Sequence, residues 1–344
     1  MAPIIEHIED LKQREAVGKE NPFTLLEDEL HEALSLYWEA AARILEGSGI
    51  HLIQPETKSF ALRKQFFSAL FLYSYHQAAI SPPRRILYAA ANQCLRGIVA
   101  GCDNLLDDEY RKTLETDLPK KGTRFRSVMD IMVSERVLFE LLFTRYRKGD
   151  FSGPKLLAAS AALFRALARS GMPAASEEGG VSEILTPEDV LTSVHHFKTG
   201  LLFQSPWAIP LILEDMEPES VSHLLTALYR IGLGCQIMDD MVDLADDVRC
   251  GRHNYVASLV YHGEGKDAWD RLRRITEMPE DIRSVDGFLL TFPSVRKTAS
   301  ILVRDSLTEG LQGLYDPAHH HLIEPTIDFL ARRIGAEGAM ADAL

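Results

Sequence analysis

Five aspartates fall within nine residues of GCQIMDDMVDLADD (Gly234–Asp247), and no basic residue lies among them. A second acidic stretch, CDNLLDDEY (Cys102–Tyr110), carries Asp103, Asp107 and Asp108. On a helix, residues four apart share a face. Asp239 then stands with Asp243, and Asp246 or Asp247 follows one turn later; upstream, Asp103 aligns with Asp107 and Asn104 with Asp108. Like charges at this spacing cost an isolated helix roughly 0.2–0.5 kcal/mol per pair, and burying an ionised carboxylate costs several times more. Interleaved apolar residues (Leu105, Leu106; Met241, Val242, Leu244) predict that both helices are partly buried. Hard divalent cations offset such a charge: Mg2+ takes one or two carboxylates per ion and fills its octahedron with water and phosphate oxygens. Two facing helices, each with a carboxylate pair, would clamp a diphosphate, with Asp103, Asp107, Asp108, Asp239, Asp240 and Asp243 as the candidate metal ligands.

The elements that must position these residues read as helices. Apolar residues recur at helical spacing in FTLLEDELHEALSLYWEAAARILEG, MDIMVSERVLFELLFTRYR, GPKLLAASAALFRALARS and TIDFLARRIG, and alternating strand patterns are scarce. Thr186-Pro187-Glu188-Asp189 reads as an N-cap, a proline at the first helical position and an acidic first turn. Breaks at EGSGIH, SPPRR, SEEGG and HGEGK separate the segments, and AASEEGG is the stretch expected to form a mobile loop. No short-period repeat or long low-complexity linker appears. The expectation is an all-α fold: one helical domain over residues 1–344, with residues 1–25 as an N-terminal extension.

Composition excludes several classes. The 344-residue chain is 46% hydrophobic and 25% charged, the balance of a globular protein. A net charge of -13 argues against a nucleic-acid partner, which needs a basic stripe. No apolar run is long enough to span a bilayer, and the charged N-terminus does not read as a signal peptide, so a cytoplasmic location is expected. Cys94, Cys102, Cys235 and Cys250 form no CxxC pair and read as small core residues of a reducing compartment.

The chain resembles the trans-isoprenyl (polyprenyl) diphosphate synthases of the class I terpenoid-synthase fold. The pattern Gly232-x3-Gln236-x2-Asp239-Asp240-x2-Asp243 is similar to the family's second aspartate-rich motif, and Asp103-Asn104-x2-Asp107 to its first, with Asn for the second Asp. HHFKTGLLF, between them, resembles the Lys-Thr motif. The resemblance runs from about Phe60 to the C-terminal helices. It implies a helical bundle in which the motifs hold three Mg2+ ions on an allylic diphosphate, with Asp103, Asp107, Lys198, Asp239 and Asp240 in the catalytic set. It further implies that Thr199 and Gln236 line the diphosphate site, and that the protein is a homodimer. Metal ions and Lys198 would stabilise the charge that grows as the allylic C–O bond breaks. An apolar wall such as LYAAANQCLRGIVAG would keep the cation from water.

The departures concern the acceptor, isopentenyl diphosphate. The family's Gly-Gly-Lys-Arg motif is absent; Arg63 and Lys64 of FALRKQFF stand at that distance and either supply the charges or form the polar side of a helix. The family's arginine pair falls at Lys112-Thr113, with Arg111 one position early, and lysine does not reproduce bidentate arginine recognition. Arg96 could compensate, and Arg252 of GRHN could serve the diphosphate in place of the usual Gly-Lys run. Ile98 and Val99, the positions whose bulk sets chain length in the family, leave room for a product of C15 to C20 or longer. Elongation is the expected reaction; a terpene cyclase on the same scaffold and a non-catalytic partner subunit are the alternatives. His319-His320-His321 reads as a solvated loop, and His195-His196 as packing or hydrogen-bonding residues rather than metal ligands.

Overall fold

In the computed structural model the described residues are 22–53, 64–106, 110–277 and 291–340. Among them there is no strand, only one isolated antiparallel bridge between Leu52 and Thr116, so the all-α expectation holds. No helix among them is long and apolar enough to cross a membrane. The chain divides into two compact units, one formed by residues 1–163 and 208–217, the other by residues 164–207 and 218–344.

The first unit is built from α1 (Pro22–Leu45), α2 (Phe66–Gln77), α3 (Pro82–Leu106), α4 (Thr123–Arg147), the start of α5 (Gly153–Glu177) and α6 (Ala208–Leu213). α1 starts at Pro22, inside the segment read as an extension. Every residue of α3 from Arg85 to Leu95 is buried, so this helix runs through the core of its unit. α3 and α4 approach closely because Gly97 carries no side chain: a Cβ there would lie 2.0 Å from Ser134 Oγ. α4 presents Ser127, Asp130 and Ser134 along the buried face, and Ser134 is bonded to Tyr37 of α1 at 3.1 Å. Arg85 is buried in a pair with Glu29, two charges that satisfy each other away from water.

In the second unit, Thr186 caps a short helical turn at Pro187–Asp189, as expected, its Oγ1 accepting from the Asp189 amide at 3.2 Å. The chain continues as a π-helix, Val190–Leu201, which was not anticipated. α7 (Ser222–Val242), α8 (Leu244–Cys250), α9 (Tyr255–Leu259), α10 (Lys266–Thr276), α11 (Pro293–Leu314) and α12 (Ile323–Ile334) follow. α7 packs along α11 on one side and the π-helix on the other. Gly232 permits the second contact, since a Cβ there would meet the Phe203 ring at 2.8 Å and the Thr199 carbonyl at 2.9 Å.

Two expectations are corrected. AASEEGG is tethered rather than loose: Glu177 ends α5 in a buried position and accepts from the His253 amide at 3.2 Å, and the Val181 amide donates to Gly251 O at 2.7 Å. Cys94 and Cys235 are buried as expected, but Cys102 and Cys250 are exposed, each at a helix end where the apolar face has run out. The histidine triplet, expected in a solvated loop, lies in a largely exposed 3-10 turn, Pro317–Leu322, capped by Asp316.

Candidate active site

The second acidic stretch occupies the end of α7. The helix breaks at Asp243, which closes α7 and opens α8, yet the four-residue hydrogen bonding continues across the break. The Asp243 amide donates to Asp239 O at 2.8 Å and the Asp247 amide to Asp243 O at 2.9 Å. Asp239, Asp243 and Asp247 therefore succeed one another at one-turn intervals, all half-buried. Asp246 points elsewhere, exposed and paired with Arg249 at 2.6 Å. Of the two alternatives left by the spacing, Asp247 is the residue that joins the group.

Asp240 has a different environment. It is 2% exposed, and its carboxylate takes three donors: Gln236 Nε2 at 3.1 Å on Oδ1, and His195 Nε2 at 2.7 Å and the Tyr255 amide at 2.5 Å on Oδ2. Asn254 Nδ2 donates to the Asp240 carbonyl at 2.8 Å and to Asp247 Oδ2 at 2.9 Å. Thr199 Oγ1 donates to Gln236 Oε1, which places both residues of the resemblance in one buried network. His195 and His196, the latter 3.1 Å from Tyr229 OH, are hydrogen-bonding residues, as read from the sequence.

Lys198 rises from the π-helix towards these acids, 3.9 Å from Glu177. Burial alone would lower its pKa, but Glu177, Asp240, Asp247 and Asp239 more than offset this and the net shift is upward, so the ammonium is held charged. Arg252 NH1 lies 4.0 Å from Asp247. Burial, reinforced by the neighbouring Asp240 charge, pushes the Asp247 carboxyl up to about 7, with Asn254 and Lys198 acting in the opposite sense. The donor set is hard oxygen, which fits Mg2+. Among the described residues no three His, Cys, Asp or Glu side chains converge to hold a metal ion.

The first acidic stretch ends α3 in the other unit. Asp103 is exposed, while Asp107 and Asp108 lie outside the described residues. Leu105 and Leu106 are 38% and 53% exposed, so the expectation of a partly buried apolar face fails here, because the helix is in its last turn. Asn104 is 2% exposed; its Oδ1 accepts from the Arg111 amide at 2.7 Å and its Nδ2 donates to the Arg111 carbonyl at 3.1 Å. This two-way contact needs an amide, since a carboxylate cannot donate. Arg126 fixes the same segment, donating to Tyr110 OH at 2.9 Å and Leu118 O at 2.6 Å.

Of the acceptor-side candidates, Arg63 lies outside the described residues, and Lys64, Arg96, Arg111 and Lys112 are exposed. Arg96 donates to Gln65 at 2.6 Å and Lys112 pairs with Glu115 at 2.7 Å. Glu177 and Asn254 were not picked out from the sequence as site residues; His195 was read there as a packing or hydrogen-bonding residue and Asp247 as one of two residues that could follow Asp243. Glu177 and Asn254 carry no spacing signal of their own, since their partners lie on other elements.

No model of a known protein family matches the sequence, and no protein of curated function does. Solved structures match over nearly the whole chain. Geranylgeranyl pyrophosphate synthetase from the archaeon Geoglobus acetivorans is 18% identical with a TM-score of 0.56, covering 89% of this chain and 95% of that one. Octaprenyl pyrophosphate synthase from Helicobacter pylori is 14% identical with a TM-score of 0.60, covering 90% and 99%. Decaprenyl diphosphate synthase from Rhodobacter capsulatus is 16% identical with a TM-score of 0.54, covering 90% and 99%. The chain has the fold of the trans-prenyl diphosphate synthases. Its resemblance to that family, first visible in short motifs, thus extends to the architecture that carries them.

Proposed function

We propose that the protein is a Mg2+-dependent prenyltransferase that ionises an allylic prenyl diphosphate and joins it to isopentenyl diphosphate. The observation that carries this reading is the convergence of Lys198 and Arg252 with Asp239, Asp243 and Asp247 in one half-buried group of charges. When bound, Mg2+ neutralises the diphosphate and so makes it a competent leaving group. Asp239 and Asp243, joined by Asp247, would hold metal, with Asp103, Asp107 and Asp108 as the further candidate ligands. Lys198 and Arg252 donate to diphosphate oxygens as the C–O bond breaks and its electron pair passes to the leaving group. Thr199 and Gln236 hold the wall beside them, and Asp240, buried beneath three donors, supports the site from behind. Attack of the acceptor double bond on the allylic cation, followed by proton loss, completes elongation.

Ile98 and Val99 are only half-buried and of moderate bulk, which supports a product of C15 to C20 or longer. Arg111, Lys112, Arg96 and Lys64 are the cations available to the acceptor diphosphate, together with Arg63. The pairing of Arg96 with Gln65 and of Lys112 with Glu115 favours a second reading, a terpene cyclase that uses the allylic diphosphate alone. Incubation of the purified protein with geranyl, farnesyl and geranylgeranyl diphosphates and Mg2+, with and without isopentenyl diphosphate, separates the two. Longer prenyl diphosphates formed only with the acceptor support elongation; hydrocarbon or alcohol formed without it overturns elongation in favour of cyclisation. Release of no diphosphate from any substrate overturns both and leaves a non-catalytic partner subunit.

We place both units within one synthase-like domain over residues 1–344, and in the cytoplasm, in keeping with four free thiols of which two are exposed. A homodimer is supported by Phe125, Val128, Met132, Phe139 and Phe143, which stay exposed at helical spacing on α4. The stripe runs roughly 27 Å at about 1.5 Å per residue, the reach of a helix-on-helix contact between two copies. Light scattering on the eluted protein tests it.

A further inference from the structure

His195 is buried at 1% exposure, one turn from Lys198, and belongs to neither the aspartate motifs nor the Lys-Thr pair. Its Nε2 faces Asp240 Oδ2 at 2.7 Å. A carboxylate only accepts, so this nitrogen carries the proton and donates. Nδ1 is buried with no hydrogen-bond partner among the described residues, so the ring's orientation depends on the Asp240 bond alone.

Three side-chain hydrogen bonds tie the π-helix to α7; His196 meets Tyr229 at 3.1 Å, and the other two flank the site. Thr199 reaches Gln236 and His195 reaches Asp240. Each pair of anchors is four residues apart on its own helix, and the order is antiparallel: 195 with 240, 199 with 236. Lys198 lies between the two π-helix anchors, and Asp239 lies between the two on α7. The tethers therefore bracket the cation and the acid that must meet one diphosphate.

We propose that His195 is a positioning residue for Lys198: its Nε2–H bond to Asp240 fixes the π-helix against α7 so that the ammonium stands at a set distance from Asp239. This inference rests on the prenyltransferase reading for its kinetic consequence, though the bond itself does not. Without the bond, the buried Asp240 oxygen loses a donor and the tie on the N-terminal side of Lys198 is weakened to the His196–Tyr229 contact. Lys198 then contributes less to a charge that is largest in the transition state, which lowers kcat more than it raises KM.

The test compares wild type with His195→Ala, His195→Gln and Asp240→Asn. A glutamine amide extends its Nε2 to about the position of the imidazole Nε2 and restores the donor. The expected result is that His195→Ala lowers kcat about 10- to 100-fold, the usual loss for a residue supporting a metal or diphosphate site. KM for the allylic diphosphate should change less than about threefold, and His195→Gln should recover most of kcat. Wild type should show a downfield imidazole proton resonance that disappears in both His195→Ala and Asp240→Asn. Amide exchange at Tyr255, whose N–H shares the same Asp240 oxygen, should speed up in His195→Ala. Full kcat in His195→Ala, no recovery in His195→Gln, or absence of the imidazole resonance in wild type each overturns the proposal. Should His195→Ala not fold, the resonance and the His195→Gln kinetics decide. Should wild type turn over no allylic diphosphate, the prenyltransferase reading fails separately, and titration of inorganic pyrophosphate with Mg2+ into wild type and His195→Gln still reads the bracket. Comparable affinities then support it, and binding lost in His195→Gln overturns it.

Discussion

Restoring the family's aspartate at position 104 should damage this protein. Asn104 spends both ends of its amide on the backbone of Arg111, accepting at 2.7 Å and donating at 3.1 Å in a site only 2% exposed. In Asn104→Asp the first bond survives and the second becomes two oxygens facing each other. Loss of this part-buried bond costs about 1 kcal/mol, and a new charge on the buried side chain raises the total to roughly 2–4 kcal/mol. If the loss is global, the melting temperature should fall by roughly 4–10 °C. If it is local, amide exchange should accelerate over residues 110–113 with little change in melting. The pH sign distinguishes the cause. Burial would raise the folded-state pKa of the new carboxyl, so the variant's stability is fully present below the unfolded value of ~3.9 and is lost as pH rises through the folded one. The deficit against wild type should shrink in acid, where a protonated carboxyl donates again. A variant as stable at neutral pH as wild type, with unchanged exchange over 110–113 and equal or greater turnover, would refute the clamp and make Asn104 a lapsed acidic residue instead.

Asp239→Ala or Asp103→Ala should lower turnover by orders of magnitude while the circular dichroism stays that of the wild-type helical fold; near-wild-type rates would remove the metal assignment. Asp247→Ala should lose about tenfold or more in turnover, whereas Asp246→Ala should stay within about twofold, measured as diphosphate release. Asp130 carries a pH dependence of its own: burial pushes its carboxyl up to about 6 from 3.8, with the Leu114 amide and Arg126 partly opposing. A raised folded pKa stabilises fully below about 3.8 and the contribution is lost as pH rises through about 6. Wild type should therefore lose up to about 3 kcal/mol relative to Asp130→Asn between pH 4 and pH 7, and parallel denaturation curves across that range would contradict it.

The sequence by itself determined the helical class, the cap at Thr186 and the pairing of Asp239 with Asp243, because these depend on spacing along one chain. Lys198, Thr199 and Gln236 were marked by the resemblance of their surroundings to known motifs. What the sequence left undecided were contacts across the fold. Asp239 and Asp240 are adjacent and identical in type, yet one is half-buried and the other sits beneath three donors from the π-helix, α7 and the start of α9. Asn104 looked like an eroded acid until the Arg111 backbone appeared beside it. AASEEGG looked loose until Glu177 met the His253 amide, 76 residues away. Spacing determines which side chains share a helix face, but whether a carboxylate faces solvent, a cation or a buried donor depends on helices far apart in sequence. Only the tertiary structure could separate the acids placed to bind from those that hold the binding residues still.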